Sequence, residues 1–358
     1  MDRGLFNIAV FLDLQKAFDT INHDILLTKL DLYGLQKPSL NLLGSYLANR
    51  TQMCSVNGAL SGTKLVTCGI PQGSILGPLL FLIYINDLPN SLEYSSTRMF
   101  ADDTTLTVSG KSIQDVEVAI NHDLTNVKQW LSANRLSLNL VKTEYLLIGS
   151  RYNKNNLLAA PNVFVGDTPI KKVKETKALG VHIDEFLLNV ANTALRSAKR
   201  DYYANKFTTN KQNPKYAWRT INDILGRNRK QTTINEIKLP GKTVTSTDEL
   251  VDIFNDHFSN IGPKLAESIP NDNDVSFRDF ITQQKSKTKN SFSFRPVSVT
   301  LVYTLLVNLS TTKATGMDKI SAKILQVAAP VIAPSLTEIF NMSIDSDQFP
   351  SDWKAACK

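Results

Sequence analysis

Hydrophobic residues fall into three kinds of spacing along this chain. Residues 5–14, Leu5 to Leu14, are an almost unbroken apolar run interrupted late by Asp13, which predicts a buried strand ending in an acid. A helix is predicted from Asp24 to Tyr33, with Gly34 as its natural stop, and another from about Ser39 to Ala48. Residues 51–57 and 63–68 read as strands joined by the turn-forming stretch Asn57 to Gly62. The run Ile75 to Ile85 reads as a buried helix. Ile113, Val116, Ile120, Leu124, Val127 and Leu131 recur at three- and four-residue steps, the mark of an amphipathic helix over 113–131. Thr143 to Ile148 predicts a strand, and short strands follow near 162–165 and 178–183. Alternating strands and helices imply an α+β fold, a sheet with helices on one face.

Beyond residue 186 the pattern is mainly helical. A helix from Asp248 to Asn260 carries a capping box, Ser246 with Glu249. Residues 270–295 are rich in Ser, Asn, Lys and Gln and predict a flexible linker. Two further helices are expected, from Ser321 to about Ala328 and from Ser335 to Ile344.

Charge changes this picture only in the middle of the chain. Net charge is +7, but residues 1–186 hold 17 basic and 17 acidic side chains, whereas residues 187–290 hold 17 and 11. Arg196, Lys199, Arg200, Lys206, Arg227, Arg229 and Lys230 lie there, interleaved with Tyr202, Tyr203, Phe207, Tyr216 and Trp218. Basic residues mixed with aromatics suit single-stranded nucleic acid, by phosphate pairing and base stacking. The same spacing also suits an amphipathic helix with an aromatic core side. The three cysteines are far apart and form no metal or disulfide pattern, which points to a reducing compartment. The N-terminal residues do not read as a signal peptide, and the run 75–85 is too short to span a bilayer. A nuclear or cytoplasmic protein without a membrane partner is expected.

The candidate chemistry centres on Phe100-Ala101-Asp102-Asp103, read as a hairpin tip with two adjacent carboxylates. Adjacent carboxylates repel unless a cation sits between them, and hard oxygen ligands suit Mg²⁺. The same pair also suits an ordinary turn. Asp13, at the end of an apolar strand, is expected to face a cleft, a partner or a metal, or else to cap the next helix. Gly69-Ile70-Pro71-Gln72-Gly73-Ser74 opens a helix N-terminus where a polyanion can approach, although its spacing matches neither a Walker loop nor a dinucleotide fingerprint.

Taken together, these blocks resemble a reverse transcriptase of the non-LTR, LINE-like retrotransposon type, most similar to the jockey-related group. The resemblance rests on Phe11-Leu12-Asp13-Leu14-Gln15-Lys16-Ala17-Phe18-Asp19, on Gly69 to Pro78, on Phe100-Ala101-Asp102-Asp103, and on Leu138-Asn139 with Lys142-Thr143. Leu179-Gly180-Val181 is similar to the strand leading to the thumb. It implies a palm and the start of a thumb over 1–186, a basic helical connector over 187–269, the linker 270–295 and a partial, helical fingers segment over 296–358. The last two blocks of similarity stand in permuted order, because the connector and fingers precede the Asp13 block in such elements. A stretch of fingers and most of the thumb are then missing. The resemblance further implies RNA-directed DNA polymerase activity by two-metal nucleotidyl transfer, impaired by truncation, with an RNA template, a DNA primer and dNTPs as partners. Asp13, Asp102 and Asp103 would hold Mg²⁺ (or Mn²⁺), with the Leu14 carbonyl as a further ligand. Phe18 matches the steric gate against a ribose 2′-hydroxyl, Gln72 and Gly73 the loop beside the nucleotide, and Lys142 a proton donor to pyrophosphate. The alternative is a non-enzymatic remnant that binds RNA or single-stranded DNA.

Overall fold

The computed structural model describes residues 5–71, 73–149, 157, 159–178, 181–184, 234–269, 275–282, 291–311, 318 and 320–357. In chain order the first elements are β1 (Phe6–Leu12), α1 (His23–Leu32), α2 (Lys37–Leu47), β2 (Arg50–Met53), β3 (Ser55–Val56), β4 (Ala59–Leu60), β5 (Lys64–Val66) and α3 (Leu76–Ile85). Then come β6 (Ser96–Phe100), β7 (Asp103–Gly110), α4 (Ile113–Ala133), β8 (Glu144–Ile148), β9 (Phe164–Val165), β10 (Thr168–Pro169), β11 (Lys171–Val173), β12 (Glu175–Ala178) and β13 (Val181–Asp184). The rest is β14 (Ile237–Leu239), β15 (Lys242–Val244), α5 (Thr247–Glu267), α6 (Phe277–Thr282), α7 (Val299–Val307), α8 (Ala322–Asp345) and β16 (Ala355–Cys357). The content is mixed helix and sheet, as the hydrophobic pattern predicts.

The elements fall into two compact units. The first comprises Met1–Asp13, Tyr94–Leu124 and Leu140–Ile234. Its five-stranded sheet has the order β11-β8-β1-β7-β6, antiparallel except for the β11–β8 pair. Strand geometry sends successive side chains to opposite faces. Ile8 and Val10 of β1 lie level with Val108 and Leu106 of β7, and all four are buried. Val116, Ile120 and Leu124 of α4 are fully buried too. Gly110 marks a close approach, for a Cβ there would lie 2.7 Å from Val116. On the other face, Ala9, Leu146 and Ile148 form a small apolar cluster with Phe11, Val173 and Ile183. The remainder of that face is polar and open.

The second unit comprises Leu14–Glu93, Thr125–Asn139 and Asn235–Lys358. Leu26, Phe81 and Tyr84 are fully buried in it, and α1 packs on both α2 and α3. Asn22 caps α1 by accepting the Ile25 N–H at 3.0 Å. Strand β16 pairs in parallel with β2, and β2 antiparallel with β5.

Three expectations from local pattern are corrected here. The helix α5 runs to Glu267, not Asn260, and passes through Gly262 and Pro263. Gly262 is needed there because a Cβ would collide with the Asp19 carbonyl and the Cys68 sulfur. Ser246 does occupy the N-cap, but its side chain makes no capping bond; Glu249 instead accepts from Lys242 Nζ at 3.0 Å. An ion pair has taken the carboxylate that the capping box needs.

The two helices expected over 321–344 are one, α8, with Pro330 and Pro334 inside it. A proline removes one helical hydrogen bond and clashes with the preceding turn. Both prolines lie on the exposed side, while Ala329 and Ala333 are buried with Val302 and Leu306 of α7. The small residues let α7 approach closely, and that packing holds the helix through its prolines. Among the described residues α8 is the one helix long and apolar enough to cross a membrane by length and composition.

The expected linker 270–295 also contains structure. Residues 277–282 form α6, whose Phe280 and Ile281 are buried and whose Phe280 carbonyl accepts from Asn90 Nδ2 at 3.0 Å. Phe292 bridges to Leu35, accepting from the Gln36 N–H at 2.8 Å. Polar composition concealed a few aromatic anchors.

Candidate active site

Strand β1 ends at Leu12, which pairs with Thr104 of β7, so the next residue, Asp13, stands level with Asp103. Strands β6 and β7 close on the pair Phe100–Asp103, leaving Ala101 and Asp102 as a two-residue turn. Ala101 takes φ 51°, the left-handed region that L-residues avoid. The predicted hairpin with a carboxylate tip is therefore present, and its tip is strained.

Asp13, Asp103 and Lys142 line one open cleft of about 860 Å³ in the first unit. Its floor is the polar face of the sheet, with Asn7, Thr105, Thr107 and Ser109; Arg98 and Phe100 line one side, Thr176 and Lys177 another. Burial, followed by the charges of Asp102 and Asp13, pushes the Asp103 carboxyl above its usual range. Burial is the larger cause, and the two neighbouring carboxylates add to it. Lys142 Nζ lies 4.0 Å from Asp13 Oδ2, but both groups are solvated, so the attraction is weak. The Asp13 backbone N–H donates to Thr143 Oγ1 at 3.3 Å, and Thr143 is fully buried, which fixes the end of β1 against the start of β8.

These carboxylates suit a divalent cation in donor chemistry. Asp102 and Asp103 adjoin in the chain, and the charge of Asp13 acts on the Asp103 carboxyl. Among the described residues no group of three or more His, Cys, Asp and Glu side chains forms a cage that would hold a metal alone.

Leu14, Phe18 and Gly73 lie in the second unit. Leu14 bridges to Leu138, and the Gln15 N–H donates to the Ser137 carbonyl at 2.8 Å. Phe18 is half-buried and stacks on the fully buried Phe81, ring centroids 4.5 Å apart. Its carbonyl accepts from Ile70, while Gly69 donates to the Ile21 carbonyl at 2.7 Å and accepts from His23 Nε2 at 2.7 Å. Gly69, at φ 82°, has no room for a Cβ, which would lie 2.8 Å from the Asp19 carbonyl oxygen. The loop is thus pinned at its start, whereas Gly73, at φ 85°, stands in open space. Gln72 lies outside the described residues, as do Arg196, Lys199, Arg200, Lys206, Arg227, Arg229 and Lys230.

Arg98, Glu144, Thr176 and Lys177 were not anticipated in the cleft. Their signal was faint: Arg98 and Phe100 share a strand face with period two, but Thr176 and Lys177 reach the cleft from a hairpin 60 residues and more away from β7.

Comparison with known proteins agrees with this geometry. Residues 3–183, half of the chain, match the family model described as reverse transcriptase (RNA-dependent DNA polymerase). The chain is 29% identical over 195 residues to the RNA-directed DNA polymerase from mobile element jockey of Drosophila melanogaster, covering 52% of this chain and 20% of that protein. It is 34% identical over 142 residues to a probable RNA-directed DNA polymerase from transposon BS of the same fly, covering 38% of this chain and 16% of that protein. Similarity to the polymerase from transposon X-element is 29% over 183 residues, covering 50% of this chain and 20% of the relative. The matches therefore span about a fifth of each relative. The carboxylate cleft and the match across it show that this chain belongs to the reverse transcriptase family, with homology to the polymerases of jockey and other non-LTR retrotransposons.

Proposed function

We propose that the cleft carries out nucleotidyl transfer, extending a DNA primer on an RNA template from dNTPs. The observation that carries this reading is that Asp13, just past the end of β1, and Asp103, at the base of the hairpin turn that holds Asp102, line one open cleft. Asp13, Asp102 and Asp103 would hold divalent cations, Mg²⁺ or Mn²⁺, with the Leu14 carbonyl as an added ligand. When bound, such ions lower the pKa of the primer 3′-hydroxyl and neutralise charge on the triphosphate. The chain supplies the rest. Crowded carboxylates release repulsion when a cation enters, so binding is driven partly by strain already present. Lys142, whose Nζ lies 4.0 Å from Asp13 Oδ2, would give a proton to departing pyrophosphate. Phe18, braced by Phe81, would exclude a ribose 2′-hydroxyl, and the pinned loop ending in Gln72 and Gly73 would border the nucleotide.

In this reading residues 1–186 are palm and the start of the thumb, 187–269 the basic connector and 296–358 a fingers segment in permuted order. Support for a working permutation comes from within the second unit. Strand β16 adds to β2, Phe349 meets Tyr46 edge-on at 5.0 Å, and the Phe349 N–H donates to Ser45 Oγ at 3.0 Å. The late segment is built into the unit rather than appended to it.

The test is primer extension on an RNA template with dNTPs and Mg²⁺. Incorporation is expected, falling at least about a hundredfold in Asp13→Asn and in Asp102→Asn. Salt-sensitive RNA binding without incorporation, unchanged by either substitution, would replace this reading with that of a nucleic-acid-binding remnant.

A further inference from the structure

The hairpin β12–β13 walls the cleft, yet it is not part of the five-stranded sheet: among the described residues its strands pair only with each other. A two-stranded hairpin is marginal by itself. Its first pair sets Glu175 opposite Asp184, two like charges, which adds nothing to the pairing. Something other than backbone pairing must hold it in place.

Two side chains do so from one face. Ile183 packs into the apolar cluster of Ala9, Phe11, Leu146, Ile148 and Val173. Thr176, directly opposite Ile183 in the hairpin register, is 9% exposed and donates its hydroxyl to Glu144 Oε1. Glu144 opens β8, pairs with Phe11 of β1, and follows Thr143, which accepts the Asp13 N–H. The polar anchor of the wall is therefore two residues of strand from the carboxylate end of β1. Both residues line the same cleft as Asp13 and Asp103.

We propose that Glu144 and Thr176 form a latch that sets where the hairpin stands over the cleft, making both of them positioning residues for a nucleic-acid strand lying along it. This rests on the polymerase reading for the identity of the occupant. The cleft's chemistry agrees with a phosphodiester strand: Arg98 on one side, Lys142 and Lys177 elsewhere on the lining, and a floor of hydroxyl and amide groups. With the latch broken, the hairpin loses the hydrogen bond that ties Thr176 to the end of β8, while Ile183 stays in the apolar cluster, and Lys177 loses its register with the floor.

The full chain tests this in two arms. Thr176→Val keeps the shape and removes the donated hydrogen bond; Glu144→Gln keeps an acceptor oxygen. Amide exchange over residues 175–184 is expected to quicken about tenfold in Thr176→Val, with β1 and β7 unchanged, and to stay near the unsubstituted rate in Glu144→Gln. The affinity for an RNA–DNA primer–template hybrid is expected to fall about five- to tenfold in Thr176→Val, appearing in extension as a raised KM for the hybrid with kcat within twofold. Unchanged exchange in Thr176→Val overturns the latch. Quickened exchange with unchanged hybrid affinity overturns the positioning role. No hybrid binding by the unsubstituted chain, at low or at physiological salt, overturns the polymerase reading and this role with it.

Discussion

In the second unit, Lys29 and Asp87 are both buried, with Nζ and Oδ1 2.6 Å apart. Lys29 also donates to the Tyr84 carbonyl at 2.6 Å and lies over the Tyr84 and Trp130 rings at 4.9 and 5.1 Å. Even so, burial pulls the lysine down to about 8. In the cleft of the first unit the arrangement is reversed: like charges, solvated, with Lys142 only at 4.0 Å from Asp13. One region has spent its charges on each other and is closed to ligands. The other keeps its carboxylates in an open, solvated cleft, near enough together that Asp102 and Asp13 add to the upward shift of Asp103, beside a turn whose first residue is strained. Unsatisfied charge and backbone strain cost stability, and proteins retain them where a ligand completes the set.

Substitutions at three places sharpen that contrast. Lys29→Met should be the most damaging, because it strands a buried Asp87; a loss of about 3–5 kcal/mol is expected in chemical denaturation. The double variant Lys29→Met with Asp87→Leu should recover most of it. If the single variant cost no more than the double, the pair would not be acting as a closed unit. At the hairpin tip the sign should invert. Ala101→Gly removes the penalty of a left-handed alanine and should stabilise by about 1 kcal/mol, read in the same denaturation. The smallest effect is expected from Asp103→Asn without metal, a rise of about 1 °C in Tm as the repulsion from Asp102 and Asp13 is relieved. Its value lies in a second reading: Mg²⁺ should raise the Tm of the unsubstituted chain and leave Asp103→Asn unmoved. A fall in Tm for Asp103→Asn would mean that the carboxylate stabilises the cleft, and the contrast would collapse.

Part of this was written in local order. Alternation and helical spacing are properties of neighbouring residues, so β1, α1, α3 and α4 could be read within a residue or two of their bounds. The carboxylate hairpin was legible for the same reason, since Asp102 and Asp103 adjoin and β-favouring residues flank them. Asp13 was recognisable as costly to bury, but not as level with Asp103.

Tertiary structure decided the rest. The β1–β7 register, set by which apolar side chains share the buried face, placed Asp13 beside Asp103. Local rules end a helix at Pro330; Ala329 and Ala333 packed on α7 carried it on. Composition made 270–295 a linker, yet Phe280, Ile281 and Phe292 found partners. Nothing near Thr176 in the chain announced Glu144, 32 residues earlier. In each case the deciding contact joins residues distant in sequence, and its free energy exists only once folding has brought them together. The sequence by itself determined the elements and the chemistry they carry; the packed structure determined which of those groups meet.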